Sequence, residues 1–389
     1  MNSMQRHLHH LSVNIGPRGS TSANERLAAN YIERKLAGLG YTVKTESFTT
    51  IPSFSLIQLI FIFGLLASFG TFLIQPGLSS MLAISLLILY LLDVDTRFSL
   101  ARFLPRKSSQ NVRALLPNSQ NNHSQRQQTK VVLMAHYDSS RAGLNFHPKL
   151  VSGFRSSFFL LIISMGIIAL GTLSGTLLQL LGRSHAWVFY AMTPFALYLL
   201  VVALLLIHRE LWGQITPGAN DNASGVSVLL GVAKELRKNP LKNLDVEFVA
   251  TGAEEAGTFG CLDYLKRHGV KDTYFINLDN LGAGKLFITT SEGILKKYKA
   301  DSRLVALAQE CIYSVPTLPV QSGGYHLLTT DATPIMVRGG KAISIMAKDE
   351  QGLLPNWHWI TDTAENVESS NLSHAKTLVV RLIKRLNGV

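Results

Sequence analysis

The run Lys130-Val131-Val132-Leu133-Met134-Ala135-His136-Tyr137-Asp138-Ser139-Ser140 is apolar and partly β-branched up to Ala135, then turns polar at a histidine. An apolar stretch of that length reads as a strand covered on both faces, the kind found at the centre of a parallel sheet. A histidine at its carboxyl end lies where open α/β sheets hold their ligands. Outward from this run, further strands are predicted at 41–49, 111–116, 245–250, 273–278 and 342–347. A polar Asn/Gln/Ser-rich loop is expected between the second of these and residue 129. Helices are predicted at 22–39, 224–236, 258–268, 302–314 and 371–386. Strands alternating with helices predict an α/β fold, a three-layer sandwich around a central, mostly parallel mixed sheet.

Two long insertions interrupt this pattern. The chain has 389 residues, of which 47% are hydrophobic and only 16% charged. The excess of apolar residues is concentrated at 52–75, 78–92, 154–181 and 186–207. A helix rises about 1.5 Å per residue, so about 20 apolar residues cross a bilayer. Three of the stretches reach that length, whereas 78–92 is short enough for a thin span or a re-entrant segment. Pro76-Gly77 and Gly182-Arg183-Ser184 supply turns within each pair, so two transmembrane helical hairpins are expected. Residues 1–20 hold no apolar run, and no cleavable secretory signal is expected there.

The formal net charge is +12. Its basic residues hug the hairpins: Arg34, Lys35 and Lys44 come before the first, and Arg97, Arg102, Arg106 and Lys107 after it. Lys149, Arg155 and Arg209 flank the second, while the tips hold only Arg183. Charge in that arrangement suits membrane headgroups rather than nucleic acid, and it predicts everything but the tips on the cytoplasmic side. The membrane segments carry almost no ionisable residues, which disfavours a transport path. Cys261 and Cys311 form no Cys-x-x-Cys pattern, so a thiolate metal site is excluded.

The remaining polar signals occur at strand ends and turns. Asp138 follows His136 by two residues, placed to hold the second ring nitrogen of a ligating imidazole. Asp221 lies in Pro217-Gly-Ala-Asn-Asp221-Asn222-Ala-Ser-Gly225, just before a helix, with more Asn and Asp than an N-cap needs. Glu254 and Glu255 are adjacent carboxylates after a buried strand, a costly arrangement unless cations compensate. Asp279 ends the strand 273–278. His358 stands between Trp357 and Trp359, with Asp362-Thr363 nearby. Five metal-binding side chains and one spare carboxylate are the inventory that two divalent cations require when one carboxylate bridges them.

This set and order resemble the di-zinc exopeptidase family of aminopeptidase Y and the bacterial leucyl aminopeptidases, metallopeptidase family 28. The likeness covers nearly everything outside the hairpins. It begins at Gly16-Pro-Arg-Gly-Ser20, runs through each motif above, and closes with Thr330-Asp331, Gly339-Gly340 and His358…Asp362-Thr363. The resemblance implies two Zn²⁺ ions, with other divalent ions as substitutes. His136 and Asp279 would ligate one and Glu255 and His358 the other, with Asp221 bridging. Glu254 would be the general base and Asp138 the carboxylate behind His136. The resemblance also implies a cis peptide bond at Asp221–Asn222; substrate-contacting residues are not readable, and Asp331 and Tyr325 are candidates from their position in the sequence alone.

The departure from the family is the pair of hairpins, one of which separates His136 from Asp221. The expected organisation is a peptidase domain in three parts (1–51, 94–153 and 209–389), with transmembrane hairpins at 52–93 and 154–208. Without the hairpins about 290 residues remain, near the upper size for one hydrophobic core. The expected function is a multi-pass, membrane-bound zinc metallopeptidase, an aminopeptidase acting on peptides, with its catalytic domain on the cytoplasmic face. Its partners would be a peptide substrate and the lipid bilayer, not nucleic acid; the sequence leaves oligomeric state open. The alternatives are a carboxypeptidase or glutaminyl-cyclase-like enzyme on the same fold, or a catalytically dead membrane binding platform.

Overall fold

The computed structural model describes residues 1–115, 129–241 and 244–388. Most of the polar loop expected before residue 129 lies outside them. The chain divides into two compact units: Met1–Pro52, Pro105–Ala142 and Ile215–Val389 form one, and Ser53–Leu104 with Gly143–Gln214 form the other.

The first unit is α/β. Its strands are β1 (Thr42–Thr50), β2 (Lys107–Leu115), β3 (Thr129–His136), β4 (Leu244–Thr251), β5 (Thr273–Leu278), β6 (Lys285–Glu292), β7 (Tyr298–Lys299), β8 (Val320–Tyr325) and β9 (Lys341–Lys348). They form one sheet in the order β1-β2-β4-β3-β5-β9-β6-β7, with β8 paired to β6. The four central strands β4, β3, β5 and β9 are mutually parallel. Towards both edges β1, β2, β6 and β7 run antiparallel to their inner neighbours. The sheet is therefore mixed, parallel where the ligand candidates lie, with antiparallel pairings outside apart from β8, which runs parallel to β6. Sequence reading named no strand between β5 and β9. In β8 (Val320-Gln-Ser-Gly-Gly-Tyr325), two glycines hide the strand.

Val131 to Ala135 are fully buried, as the apolar run of β3 requires. Helices in this unit are α1 (Ser3–His9) and α2 (Ala23–Gly38); those of the other unit, α3 to α6, are given below. After them come α7 (Gly225–Lys238), α8 (Phe259–His268), α9 (Ser302–Tyr313), α10 (Ala332–Val337) and α11 (Ser369–Leu386). The amphipathic helices α7 and α11 pack on each other, and α7 lies against β3, β4 and β5, while α8 and α10 meet each other against β2 and β9. A buried polar cluster survives within this core because its charges are paired. Arg113 on β2 contacts both Glu247 and Glu46, and Lys130 reaches Glu247 at 2.6 Å. Burying such charges is tolerable when each finds its partner.

The second unit, taken by itself, is a bundle of α3 (Phe54–Thr71), α4 (Pro76–Val94), α5 (Phe154–Leu180) and α6 (Ala186–Trp212). α3 and α5 each pack against α4 and α6, and also meet each other. The four are long and apolar enough to cross a membrane. α4 is a single uninterrupted helix of 19 residues, about 28 Å long at 1.5 Å per residue, so the chain does not double back within it. Small residues let the helices approach: a Cβ on Gly175 would stand 2.1 Å from the Phe72 ring, and one on Gly171 would stand 2.5 Å from Met192 Sδ. Close small-residue contacts of this kind are how helices associate where lipid removes the hydrophobic drive. Ser68 and Ser79 satisfy each other across α3 and α4 by hydrogen bonds of 2.7 Å. Leu170, Leu181, Leu204 and Leu211 point outward and are more than half exposed.

Candidate metal centre

Three neighbouring parallel strands end at the same edge of the sheet, and each delivers a donor there. β3 ends on His136, β4 runs into Glu254 and Glu255, and β5 is followed by Asp279. Asp221 arrives from the turn before α7, and His358 from the loop after β9. Asn222 accepts a hydrogen bond from Gly225 N (2.9 Å) and so caps α7, while its amide donates to Leu278 O (2.8 Å) at the end of β5. The cap is thus Asn222, and the Asp221 carboxylate is left for the site. The Asp221–Asn222 peptide bond is cis. Gly218 adopts a left-handed φ of 61°, and a Cβ there would stand 2.4 Å from Ser139 Cβ, so glycine lets the turn close on the segment after His136.

The donors converge. His136 Nε2 lies 3.1 Å from Asp221 Oδ1 and 3.6 Å from Asp279 Oδ1. His358 Nε2 lies 3.4 Å from Asp221 Oδ2 and 3.1 Å from Glu255 Oε2. The two oxygens of Asp221 therefore face different imidazoles. Donor atoms of His136, Asp221 and Asp279 fall within 4.8 Å of one another, as do those of Asp221, Glu255 and His358. A third grouping, His136 with Glu254 and Glu255, meets the same limit. Glu254 Oε2 is 4.0 Å from His136 Nε2, and its side chain keeps 11% of its surface open.

This cluster fits cations. Glu255 Oε1 and Asp331 Oδ1 are buried with no hydrogen-bond partner among the described residues. Imidazole nitrogen and carboxylate oxygen are the donor types that zinc and similar divalent ions take. Burial raises the Glu254 carboxyl well above the usual range against the pull of His136, and the carboxylates of Glu255, Asp331 and Asp279 raise it further. Burial also works against ionisation of Asp221, yet His136 and His358 outweigh it and hold that carboxyl below its usual range. Burial would lower His358, but Glu255 and Asp221 lift it to about 9. So many acids around two imidazoles leave an excess of negative charge that cations would neutralise.

The surrounding residues hold the cluster from behind. The Asp138 carboxylate accepts from Glu254 N (3.0 Å), Glu255 N (3.1 Å) and Ser20 Oγ (2.6 Å). His136 Nδ1 lies 3.3 Å from the Asp138 carbonyl and 3.5 Å from its carboxylate. Asp138 thus fixes the Glu254–Glu255 backbone as much as the His136 ring, a task its spacing from His136 does not reveal. Asp362 does the same for the other loop, accepting from Asn220 N (2.6 Å) and Asp221 N (3.1 Å). Asp331 accepts from Thr251 Oγ1 at 2.5 Å, and burial pushes its carboxyl up to about 7. Tyr325 is buried, and its phenol is raised by burial and then by the charges of Asp279, Asp221 and Glu254.

Sequence reasoning gave no role to Arg18, Ser20 or Glu25. Glu25 is buried, accepting from Ser109 Oγ (2.8 Å), Ala253 N (2.9 Å) and Thr21 N (2.8 Å). It steadies the loop that presents Glu254. The available signal was Gly16-Pro-Arg-Gly-Ser20, conspicuous as a motif but silent about its distant contacts.

The same fold is found in solved structures. BSAP, a zinc aminopeptidase from Bacillus subtilis, superposes with a TM-score of 0.56 at 15% identity, covering 98% of this chain and 94% of that one. Porphyromonas gingivalis glutaminyl cyclase gives 0.56 at 14% identity, covering 98% and 97%. Residues 204–383 match the model of peptidase family M28. Aminopeptidase YwaD of Bacillus subtilis (strain 168) is 30% identical over 179 residues, 43% of this chain and 37% of its own length. Putative endoplasmic reticulum metallopeptidase 1-B of Caenorhabditis elegans is 27% identical over 190 residues, 48% of this chain. The chain spans 37% and 21% of the lengths of these two curated relatives.

Proposed function

We propose that this chain is a membrane-bound metallopeptidase, an aminopeptidase that removes N-terminal residues from peptides. The observation that carries the reading is the pair of donor triads that share Asp221, with the Glu254 carboxylate beside them. His136 and Asp279 would hold one divalent ion, Glu255 and His358 the second, and Asp221 both; zinc suits these donors. Bound ions would supply Lewis acidity toward a peptide carbonyl and water. Glu254 takes the proton of the attacking water and returns it to the nitrogen of the departing amine. Asp138 and Asp362 hold the backbones of Glu254–Glu255 and Asp221, so that these carboxylates need not reorganise during the reaction.

Full-length protein in detergent, loaded with Zn²⁺, is expected to cleave aminoacyl chromogenic substrates, to lose that activity with a chelator, and to spare N-acetylated analogues. Cleavage unaffected by chelation would remove the mechanism. Turnover confined to N-blocked peptides would remove the aminopeptidase assignment. Ring closure of N-terminal glutaminyl peptides without hydrolysis would instead favour the cyclase reading that the Porphyromonas fold likeness raises.

The four apolar helices support a multi-pass membrane protein, and the basic residues around them support a cytoplasmic catalytic unit. Cys261 and Cys311 are both buried. A Ser184→Cys variant should therefore be labelled by an impermeant maleimide from outside intact cells. Labelling only after permeabilisation would reverse the orientation.

A further inference from the structure

Arg18 is fully buried, and its guanidinium donates only to main-chain carbonyls: Nε to Tyr137 O (2.8 Å), Nη1 to Leu11 O (2.7 Å), Gly16 O (3.0 Å) and Pro217 O (2.7 Å), and Nη2 to Gly218 O (2.8 Å). Burial pulls it down to about 10, opposed by Asp362, Asp138, Asp221 and Glu255, so it stays charged at neutral pH. Hiding a cation this way is costly unless its geometry accomplishes something.

The acceptors indicate what that is. Tyr137 directly follows His136, while Pro217 and Gly218 lead into Asp221. In sequence these loops are separated by the insertion that leaves the α/β unit at Ala142 and returns at Ile215. No short covalent link sets their spacing, so cross-ties must. Ser139 Oγ donates to Thr216 O (2.9 Å) and accepts from Arg18 N (2.9 Å), Thr216 N donates to Ser140 O (2.8 Å), and Arg141 bridges Ile215. Among these ties Arg18 alone reaches main-chain carbonyls on both sides and also the N-terminal segment. A planar fork of five N–H donors can span such divergent acceptors, whereas a lysine ammonium is a single point.

We propose that Arg18 is a positioning residue for the metal centre: its guanidinium sets the separation of the His136 and Asp221 loops, and through it the affinity for divalent cations. The proposal rests on the metal-binding reading above, so its test carries Asp221→Asn as a control for that reading. Zn²⁺ and Co²⁺ affinities of the full chain are measured by competition with a chromophoric chelator, together with the visible Co²⁺ spectrum, for wild type, Arg18→Lys, Arg18→Met and Ser139→Ala. Unfolding curves are recorded alongside. Both Arg18 variants should bind about 10–100-fold more weakly, as do losses of residues that orient ligands, and shift the Co²⁺ bands. Ser139→Ala should weaken binding by a smaller factor.

Wild-type affinity in a folded Arg18→Lys would show that charge suffices and overturn the proposal. So would variants with lower stability but unchanged affinity and spectrum. If both Arg18 variants fail to fold, Ser139→Ala decides: weakened binding supports the proposal and wild-type binding overturns it. If Asp221→Asn binds cations as the wild type does, the metal reading itself fails.

Discussion

Glu254→Gln is expected to lower kcat by about 10²–10⁴-fold while leaving the cation content unchanged, the range lost with a general acid–base group. Glu254 stands apart from the two triads that meet at Asp221, yet its Oε2 comes within 4.0 Å of the His136 ring nitrogen. Its backbone is held by Asp138, so glutamine should occupy the same place without accepting a proton. Its burial among other carboxylates raises its proton affinity, as suits a base that must take a proton from water and later release it. Steady-state kinetics with metal analysis of the same samples check this. A variant retaining a tenth or more of wild-type kcat would remove Glu254 from its role, whereas loss of cations along with activity would reassign it as a ligand.

Asp221→Asn should have the larger effect on cation binding, weakening it by more than the about 10–100-fold typical of outer-shell partners. Asp221 is the one side chain shared between the triad with His136 and Asp279 and the triad with Glu255 and His358. The amide preserves shape and can still accept a hydrogen bond, but it removes the charge that faces both imidazoles. Equilibrium dialysis against Zn²⁺ should find that neither ion binds tightly. Loss of one ion with the other held at wild-type affinity would refute a shared carboxylate and leave two independent sites.

The donors were legible in the sequence because each stands at a discontinuity. His136 and Asp279 end apolar strands, Glu254 and Glu255 follow one, and Asp221 occupies a turn with too many amides for a cap. The apolar hairpin stretches were as plain, since length and composition suffice to mark them. Other features were hidden for physical reasons. Arg18, Ser20 and Glu25 act through contacts more than a hundred residues away, and an arginine near a helix start otherwise reads as surface. Asp138 was read as a partner of His136 alone, because a two-residue spacing advertises that neighbour and not the backbone of Glu254. The flank made by β6, β7 and β8 went unread; in β8, which pairs parallel to β6, Gly323 and Gly324 weaken the strand signal.

The order in which the donors leave the ribosome has a bearing on biogenesis. His136 emerges before the second apolar hairpin, Asp221 after it, and His358 last of the six. No fragment that stops short of His358 contains both triads, and the sheet takes in β9, which emerges only shortly before that histidine. The second triad can therefore form only once residue 358 has emerged, and on the proposed reading a chain truncated before that histidine would lack a ligand for one of the two ions.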